Sequence, residues 1–223
     1  FYIIRGPILL GFYPSKWPNQ KKALDRRTSL LCLSYNWFMQ IVINGILTNY
    51  EIFGVKNKPT ILILHGWGQN LENWENVAQK LSAKYRIFIL DLPGFGSSSQ
   101  SETTYILQNY SEFVSHFINK NKFKNLILFG HSFGGKVSIV LASENPVIKQ
   151  LFLISPSGIE NKSFTVILKT IVFKVFKHLL FWMPQNIKEK YALIFGSRDY
   201  KNAGNMRETF KKVIGERVDL PAK

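Results

Sequence analysis

Residues 125–136, NLILFGHSFGGK, decide the fold of this chain. An apolar run at residues 126–129 leads into a glycine-rich turn, and an apolar helical pattern follows it. This order predicts a buried strand, a sharp turn and a helix. A strand that turns sharply into a helix strains its corner residue, so small residues are needed two positions to either side. Gly130 and Gly134 occupy those positions around Ser132, which gives the pattern Gly-x-Ser-x-Gly.

Two further stretches repeat the design of an apolar strand that ends in a glycine-rich turn. Residues 61–64, ILIL, run into HGWG at residues 65–68, and residues 87–90, IFIL, run into DLPGFGSS at residues 91–98. A single Gly-x-Ser-x-Gly pentapeptide would fit an ordinary strand-to-helix turn equally well. Three such motifs in one chain favour a specific fold over a chance match.

The motifs HGWG, DLPGFGSS and GHSFGG, in this order and at this spacing, resemble those of the α/β-hydrolase family. The resemblance covers residues 45–156 well and the following segment loosely. Apolar strands that alternate with amphipathic helices also predict parallel strand pairing. The fold class we expect is α/β: a doubly wound, mostly parallel sheet with a helical lid, the last core strands being missing from the chain.

The pattern between the motifs predicts the other elements of the core. Asn44-Gly45 between two apolar runs indicates a hairpin with strands at residues 40–43 and 46–53. The apolar face of the first helix is expected to carry Trp74, Val77, Ala78 and Leu81. The remaining predicted elements are helices at residues 72–83, 103–119 and 136–143 and a strand at residues 150–154.

Residues 1–38 are a poorly patterned N-terminal extension, and the chain does not begin with Met. The apolar runs of this extension are too short to cross a membrane, and it lacks the ordered regions of a secretory signal. We hypothesise that the natural protein starts at Met39 and that the preceding segment is an upstream translated stretch. Residues 39–158 are then the N-terminal part of the α/β-hydrolase core.

Residues 159–223 are expected to form the helical lid, because the alternation of strands and helices stops after Gly158. Residues 164–183 are a long apolar segment interrupted by lysines, and two more lid helices are predicted at residues 187–195 and 207–215. For the first segment, the resemblance favours a lid laid across the site. A basic amphipathic helix on a membrane surface is the alternative.

The resemblance implies that Ser132 attacks an acyl carbonyl and carries the acyl group as an ester. It also implies an oxyanion hole of two backbone N–H donors, one from Phe133 and one from Trp67 of HGWG. We expect the two histidines of the motifs to organise the loop and the elbow rather than to act as the base. The residues expected to support the elbow and the loop are His65, Gly66, Gly130, His131 and Gly134.

The base and the acid of a catalytic triad have no clear candidates. In this fold the triad follows the order Ser, Asp or Glu, His. His116 lies on a predicted helix, His178 lies in the lid segment, and Asp219 has no strand before it. We therefore expect the triad Asp and His to be absent from this chain, although a His178 base brought over by lid closure is a further option.

Two functions follow from these observations. The first is a serine hydrolase acting on an ester or similar acyl substrate, of which this chain is a fragment that is nearly inert alone. The second is a non-catalytic α/β-hydrolase-like protein that binds a small ligand or a partner. The apolar lid segment favours a small-molecule acyl substrate with a hydrophobic group.

Composition and spacing exclude several other classes. The net charge of +15 comes from 29 basic and 14 acidic residues without a nucleic-acid-binding motif, so we attribute it to the composition of the source genome. No set of histidines, cysteines and carboxylates has metal-ligand spacing, and there is no dinucleotide fingerprint. We expect no nucleic-acid partner, no metal and no cofactor. The single cysteine, Cys32, fits a reducing compartment, so a cytoplasmic location is expected.

Overall fold

The computed structural model describes residues 37–158, Pro184 and residues 198–218. The expected lid helices at residues 164–183 and 187–195 lie outside the described residues, as does most of the N-terminal extension. Within the described parts of the chain, no helix is both long and apolar enough to cross a membrane.

One sheet of six strands forms the centre of the described structure. The strands are β1 (Trp37–Ile43), β2 (Ile46–Phe53), β3 (Thr60–Leu64), β4 (Arg86–Leu90), β5 (Leu126–His131) and β6 (Ile148–Ile154). Their order across the sheet is β1-β2-β4-β3-β5-β6. Strands β4, β3, β5 and β6 pair in parallel, whereas β2 is antiparallel to both β1 and β4. The expected α/β class with a mostly parallel sheet is confirmed.

The parallel pairing brings the three sequence motifs to one edge of the sheet. Leu64 at the end of β3 pairs with Leu90 at the end of β4 and with Gly130 near the end of β5. Because parallel strands end at the same edge, the turns that follow them meet there. The HGWG, DLPGFGSS and GHSFGG segments are therefore neighbours in space.

The Asn44-Gly45 hairpin is present as predicted. Asn44 has φ of 48° and Gly45 has φ of 80°. Positive φ at both central residues is typical of a type I′ turn, whose twist matches that of the flanking strands. The first strand is longer than predicted, because Trp37 already pairs with Ile52.

Helices flank the sheet with small differences from the predicted bounds. The helices are α1 (Glu75–Leu81), α2 (Leu107–Lys120), α3 (Phe133–Glu144), α4 (Arg198–Asn202) and α5 (Arg207–Gly215). The helix predicted at residues 72–83 is split into a 3-10 turn, Leu71–Trp74, and α1. The prediction for Val77 was wrong, because this residue is 39% exposed on α1, whereas Ala78 beside it is buried as expected. The prediction of a helix at residues 207–215 is confirmed.

Two hydrophobic clusters lie on opposite faces of the sheet. Along β5, Leu126 and Leu128 pack into the cluster under α2 and α3, while Ile127 and Phe129 pack against the cluster under α1. This alternation follows from the two-residue period of a strand. Phe117 of α2 is fully buried, and burial of a side chain of this size stabilises the fold by about 1.5–3 kcal/mol.

The segment of residues 198–218 packs back onto the core beside the motif turns. Met206, Phe210 and Val213 are buried there. Thr209 Oγ1 accepts a hydrogen bond of 3.3 Å from the Tyr105 N–H. The last part of the described chain is therefore held beside the start of α2.

Strand β6 lies at one edge of the described sheet, and its apolar side chains are incompletely covered. Phe152 stacks on Phe129 with ring centroids 4.7 Å apart, yet it is 47% exposed. Ile154, two residues further along, is 41% exposed. Exposed apolar side chains on the edge strand of the described sheet favour association with other surfaces.

Candidate active site

Ser132 forms the corner between β5 and α3. Its φ is 49° and its ψ is −112°, in a region that non-glycine residues rarely adopt. The Ser132 N–H donates to the carbonyl oxygen of Ile154 at 3.0 Å. The Ser132 carbonyl oxygen accepts from the N–H groups of Lys136, at 3.1 Å, and Ser157, at 3.0 Å. The surrounding backbone therefore holds the strained corner in place.

The glycines on either side of Ser132 are required by close backbone contacts. A Cβ atom at Gly134 would lie 2.5 Å from the carbonyl oxygen of His65, and one at Gly130 would lie 2.6 Å from the Cα of Gly135. The Gly134 N–H also donates to the carbonyl oxygen of His65 at 3.1 Å. The elbow is therefore packed directly against the loop after β3, at a distance that only glycine permits.

His65 is fully buried at the start of that loop, and both of its ring nitrogens have partners. Its Nε2 accepts from the Leu92 N–H at 3.0 Å, which leaves the proton on Nδ1 to be donated to the Gly66 carbonyl oxygen at 2.8 Å. Burial lowers the pKa of His65, so the neutral imidazole is favoured. A ring occupied in this way joins two loops and is not free to accept a proton from Ser132.

Asp91 organises the neighbouring turn through three accepted hydrogen bonds. Its carboxylate accepts from Asn49 Nδ2 at 2.9 Å, from the Leu71 N–H at 2.8 Å and from the Ser97 N–H at 2.9 Å. A Cβ atom at Gly96 would lie 2.6 Å from Asp91 Oδ1, so the turn closes around the carboxylate. These contacts support a structural role for Asp91.

The two expected oxyanion donors lie on either side of the contact between the loop and the elbow. Phe133 is the first residue of α3, where the backbone N–H has no partner within the helix. Trp67 follows Gly66, where an added Cβ atom would lie 3.3 Å from the Ser132 Cβ. Within the described parts of the chain, neither the Trp67 N–H nor the Phe133 N–H is engaged in a hydrogen bond.

Comparison with known proteins agrees with this geometry. The sequence profile of the alpha/beta hydrolase fold matches residues 59–184, more than half of the chain. The chain belongs to the α/β-hydrolase fold family.

Two curated relatives illustrate the range of proteins in this family that the chain resembles. The chain is 30% identical over 131 residues to the uncharacterized hydrolase YugF of Bacillus subtilis, a match covering 58% of this chain and 48% of YugF. It is 36% identical over 105 residues to a pimeloyl-[acyl-carrier protein] methyl ester esterase of Pseudoalteromonas atlantica, covering 46% of this chain and 39% of the esterase. Each match spans less than half of the curated relative.

Among solved structures, the thioesterase domain from the curacin biosynthetic pathway is similar in both fold and sequence. The TM-score is 0.53 with 28% sequence identity, and the superposition covers 68% of this chain and 54% of that domain. A likeness at this level supports a shared fold over the superposed part of the chain.

An aromatic cluster surrounds Trp67 in the loop after β3. The indole ring of Trp67 makes edge-on contacts with Phe95, Phe133 and Phe210, with centroid distances of 4.9, 5.3 and 4.9 Å. Phe210 comes from α5, so the C-terminal segment contributes to the surroundings of the motif turns. The loop after β3 therefore packs on an apolar core that includes a residue of α5.

The described residues of this family member do not bring a triad base or acid to Ser132. His116 is exposed on α2, while His178 and Asp219 lie outside the described residues. His131 precedes Ser132, but its Nδ1 lies 3.0 Å from Gln69 Oε1. Within the described parts of the chain, no group of three His, Cys, Asp or Glu side chains could hold a metal ion.

Three side chains around the site were not singled out by sequence reasoning. Gln69 contacts His131, and Glu51 is buried in β2. Lys136 is buried on α3, and its Nζ donates to the carbonyl oxygens of Val213 and Glu216. Burial lowers the pKa of Lys136, and attraction to Glu216 opposes that effect. A lysine inside an apolar helix was the one sequence signal that could have drawn attention to this contact.

Proposed function

We propose that this protein is a serine hydrolase that cleaves an ester or related acyl bond, with Ser132 as the nucleophile. The observation that carries this proposal is the backbone of Ser132, at φ of 49° between two glycines that have no room for a Cβ atom. Strain of this kind costs about 1–3 kcal/mol and persists at sites where function requires it. A corner of this shape presents the serine hydroxyl at the carboxyl edge of the sheet.

In the proposed reaction the Ser132 Oγ forms a bond to the acyl carbon, and the carbonyl oxygen becomes negatively charged. The N–H groups of Trp67 and Phe133 donate to that oxygen in the transition state. Phe133 stands at the N-terminus of α3, whose helix dipole also favours negative charge. The alcohol then leaves, and water hydrolyses the acyl-enzyme ester. These steps need a general base, which the described residues do not supply.

The substrate class we propose is a small-molecule ester with a hydrophobic group. The half-buried indole of Trp67, which packs on the buried rings of Phe95, Phe133 and Phe210, provides apolar surface in the loop next to the elbow. The similarity to a methyl ester esterase and to a thioesterase domain supports acyl chemistry. No cofactor or metal takes part in the proposed reaction.

A second candidate function is binding of a small ligand or a partner without catalysis. It is favoured by the observation that His65 is occupied on both ring nitrogens and that His131 faces Gln69. In that case Ser132 would keep the backbone geometry of the elbow but would not react with a substrate.

Hydrolysis of p-nitrophenyl esters by the native full-length protein separates the two functions. We expect Ser132→Ala to abolish turnover, because the nucleophile is removed. Ser143→Ala is the matched control: this serine is exposed on α3 and should be replaceable without loss of rate. Full activity of Ser132→Ala would refute the assignment of the nucleophile, and an inactive wild-type protein that still binds an ester would favour the second function.

Reaction with a fluorophosphonate probe tests the same serine in the 223-residue chain. The described residues supply no base to Ser132, so we expect slow labelling, because a serine hydroxyl is a poor nucleophile at neutral pH. Fast labelling that disappears in Ser132→Ala would show that a base is present in this chain.

A further inference from the structure

A polar contact joins the loop after β3 to the nucleophile elbow through one side chain, Gln69. Its Oε1 atom accepts from the Gly66 N–H at 3.1 Å and lies 3.0 Å from Nδ1 of His131. We infer that Gln69 is a positioning residue, whose amide holds the oxyanion loop against the elbow and keeps the His131 proton on Nδ1. The inference rests on the proposed function for its catalytic consequence.

The orientation of the Gln69 amide follows from its contact with the backbone. A backbone N–H can only donate, so the amide atom that faces Gly66 N must be the oxygen. An amide oxygen can only accept, so Nδ1 of His131 must carry the proton that it shares with Gln69. The Gly66 N–H therefore sets the tautomer of a histidine 65 positions later in the chain, through the side chain of Gln69.

The space around Gly66 shows how closely the two segments meet. A Cβ atom at Gly66 would lie 2.9 Å from His131 Nδ1, 3.0 Å from Gln69 Oε1 and 3.3 Å from the Ser132 Cβ. Gln69 also donates its own backbone N–H to the Gly66 carbonyl oxygen at 3.2 Å. Residues 66–69 therefore form a closed turn, and Trp67, the expected oxyanion donor, is its second residue.

His131 is held on its other side as well. It is the last residue of β5, and its ring makes an edge-on contact with Trp74, with centroids 5.9 Å apart. The imidazole is thus fixed between Gln69 and Trp74, on the α1 side of the sheet. A ring fixed in this way gives the turn of residues 66–69 a rigid partner on the elbow.

This arrangement matters because an oxyanion donor acts only at short range. Donors must lie within about 2.7–3.1 Å of the oxyanion, and a displacement of about 1 Å lowers a rate by about 100-fold. The Gly134 N–H bond to the His65 carbonyl oxygen holds the start of the loop, but it does not reach the turn of residues 66–69. Gln69 supplies the contact that orients this turn against Ser132.

The tautomer of His131 and the exchange rate of the Gly66 amide test the contact without any need for activity. In imidazole nitrogen NMR spectra of the 223-residue chain at about pH 8.5, where histidines are neutral, we expect the proton of His131 on Nδ1. In Gln69→Leu the His131 ring should be a mixture of the two neutral tautomers. The Gly66 amide should exchange about tenfold faster, which is the effect of losing one hydrogen bond. The Gly134 amide should exchange as before.

Three variants make the outcome specific to the contact. Gln69→Glu keeps an acceptor of the same length and should retain both signals. Gln69→Asn keeps the amide but is one methylene shorter, so it should behave as Gln69→Leu does and serves if the leucine variant does not fold. Gln79→Leu, at an exposed position of α1, should leave both signals unchanged. A wild-type Nδ1 signal and wild-type Gly66 exchange in Gln69→Asn or Gln69→Leu would overturn the inference.

The catalytic consequence is measured on the native full-length protein. There Gln69→Leu should lower kcat by about 10- to 100-fold with little change in KM, since the oxyanion contact forms in the transition state. If Gln69→Leu loses the Nδ1 proton signal of His131 but keeps the wild-type kcat, Gln69 does not position the catalytic turn. Absence of hydrolysis by the wild-type protein would instead refute the proposed function, and the tautomer and exchange measurements would still decide whether the contact exists.

Discussion

Replacement of Glu51 by glutamine tests whether this buried carboxyl group makes the free energy of unfolding depend on pH. Glu51 lies in β2, opposite Ile89 of β4, and is fully buried. Neither of its carboxylate oxygens has a hydrogen-bond partner within the described parts of the chain. Taking a charge out of water without a partner is unfavourable, so the protonated form is preferred in the folded state.

The size of the effect follows from the pKa of this carboxyl. Burial first, and then repulsion from Glu75, Asp91 and Glu72, raises the pKa of Glu51 from 4.5 to about 7. The folded state therefore holds a proton that the unfolded state has already lost. The contribution of this proton to stability is full below about pH 4.5 and is lost as the pH rises through about 7. At about 1.4 kcal/mol per pH unit, with a reduction for solvent screening of the neighbouring charges, the loss is about 1–3 kcal/mol.

Urea unfolding followed by tryptophan fluorescence at about pH 5 and about pH 8 measures this loss. The substituted glutamine side chain would be neutral at both pH values, so Glu51→Gln should remove most of the decrease in the free energy of unfolding between them. The unpaired amide is as buried at one pH as at the other, so the difference between the two pH values is the informative quantity. Glu112→Gln, on the exposed side of α2, is the matched control.

The result that would refute this reasoning is a parallel pH dependence in the wild-type protein and in Glu51→Gln. Such a result would mean that Glu51 is charged in the folded state throughout this range, or that solvent reaches it. An equal effect of Glu112→Gln would show that general charge repulsion, rather than burial of Glu51, controls the pH dependence.

Two further predictions concern the packing around the elbow. Lys136→Met removes the Nζ donor to the carbonyl oxygens of Val213 and Glu216, so hydrogen exchange should rise in residues 207–215 and stay unchanged in β3 and β4. The control is Lys149→Met, at an exposed position. Unchanged exchange in α5 of Lys136→Met would contradict the prediction. Gly134→Ala places a Cβ atom 2.5 Å from the carbonyl oxygen of His65, so urea unfolding should show that the free energy of unfolding falls by about 1–3 kcal/mol. Gly215→Ala, whose Cβ would have no atom within 4 Å, should have little effect. Equal stability of the two variants would disprove the crowding at the elbow.

Local sterics explain why much of the fold could be predicted from the sequence. The elbow depends on glycines two positions from Ser132, and the hairpin depends on positive φ at Asn44 and Gly45. Both requirements are met by neighbouring residues, so a local pattern is enough to show them. The apolar runs of β3 and β4 likewise mark strands that are buried on both faces.

Helix starts were predicted less well, because the periodicity of a helix does not define its first turn. The helix predicted from residue 103 begins at Leu107, where Asn109 Oδ1 accepts from the N–H of Ile106. The helix predicted from residue 72 begins as a 3-10 turn at Leu71, whose N–H is held by Asp91. Side chains that accept from the first N–H groups determine these starts.

The sequence alone determined the elements that carry the site, namely three apolar strands, each ending in a glycine-rich turn, and a serine between two glycines. Only the tertiary structure decided which side chains meet around them. Gln69 and His131 are 62 positions apart, and Lys136 meets a carbonyl oxygen 80 positions away, so no local pattern could place them together. Local backbone geometry is determined by neighbouring residues. Contacts between distant residues depend on strand order and packing, which are determined by the whole chain.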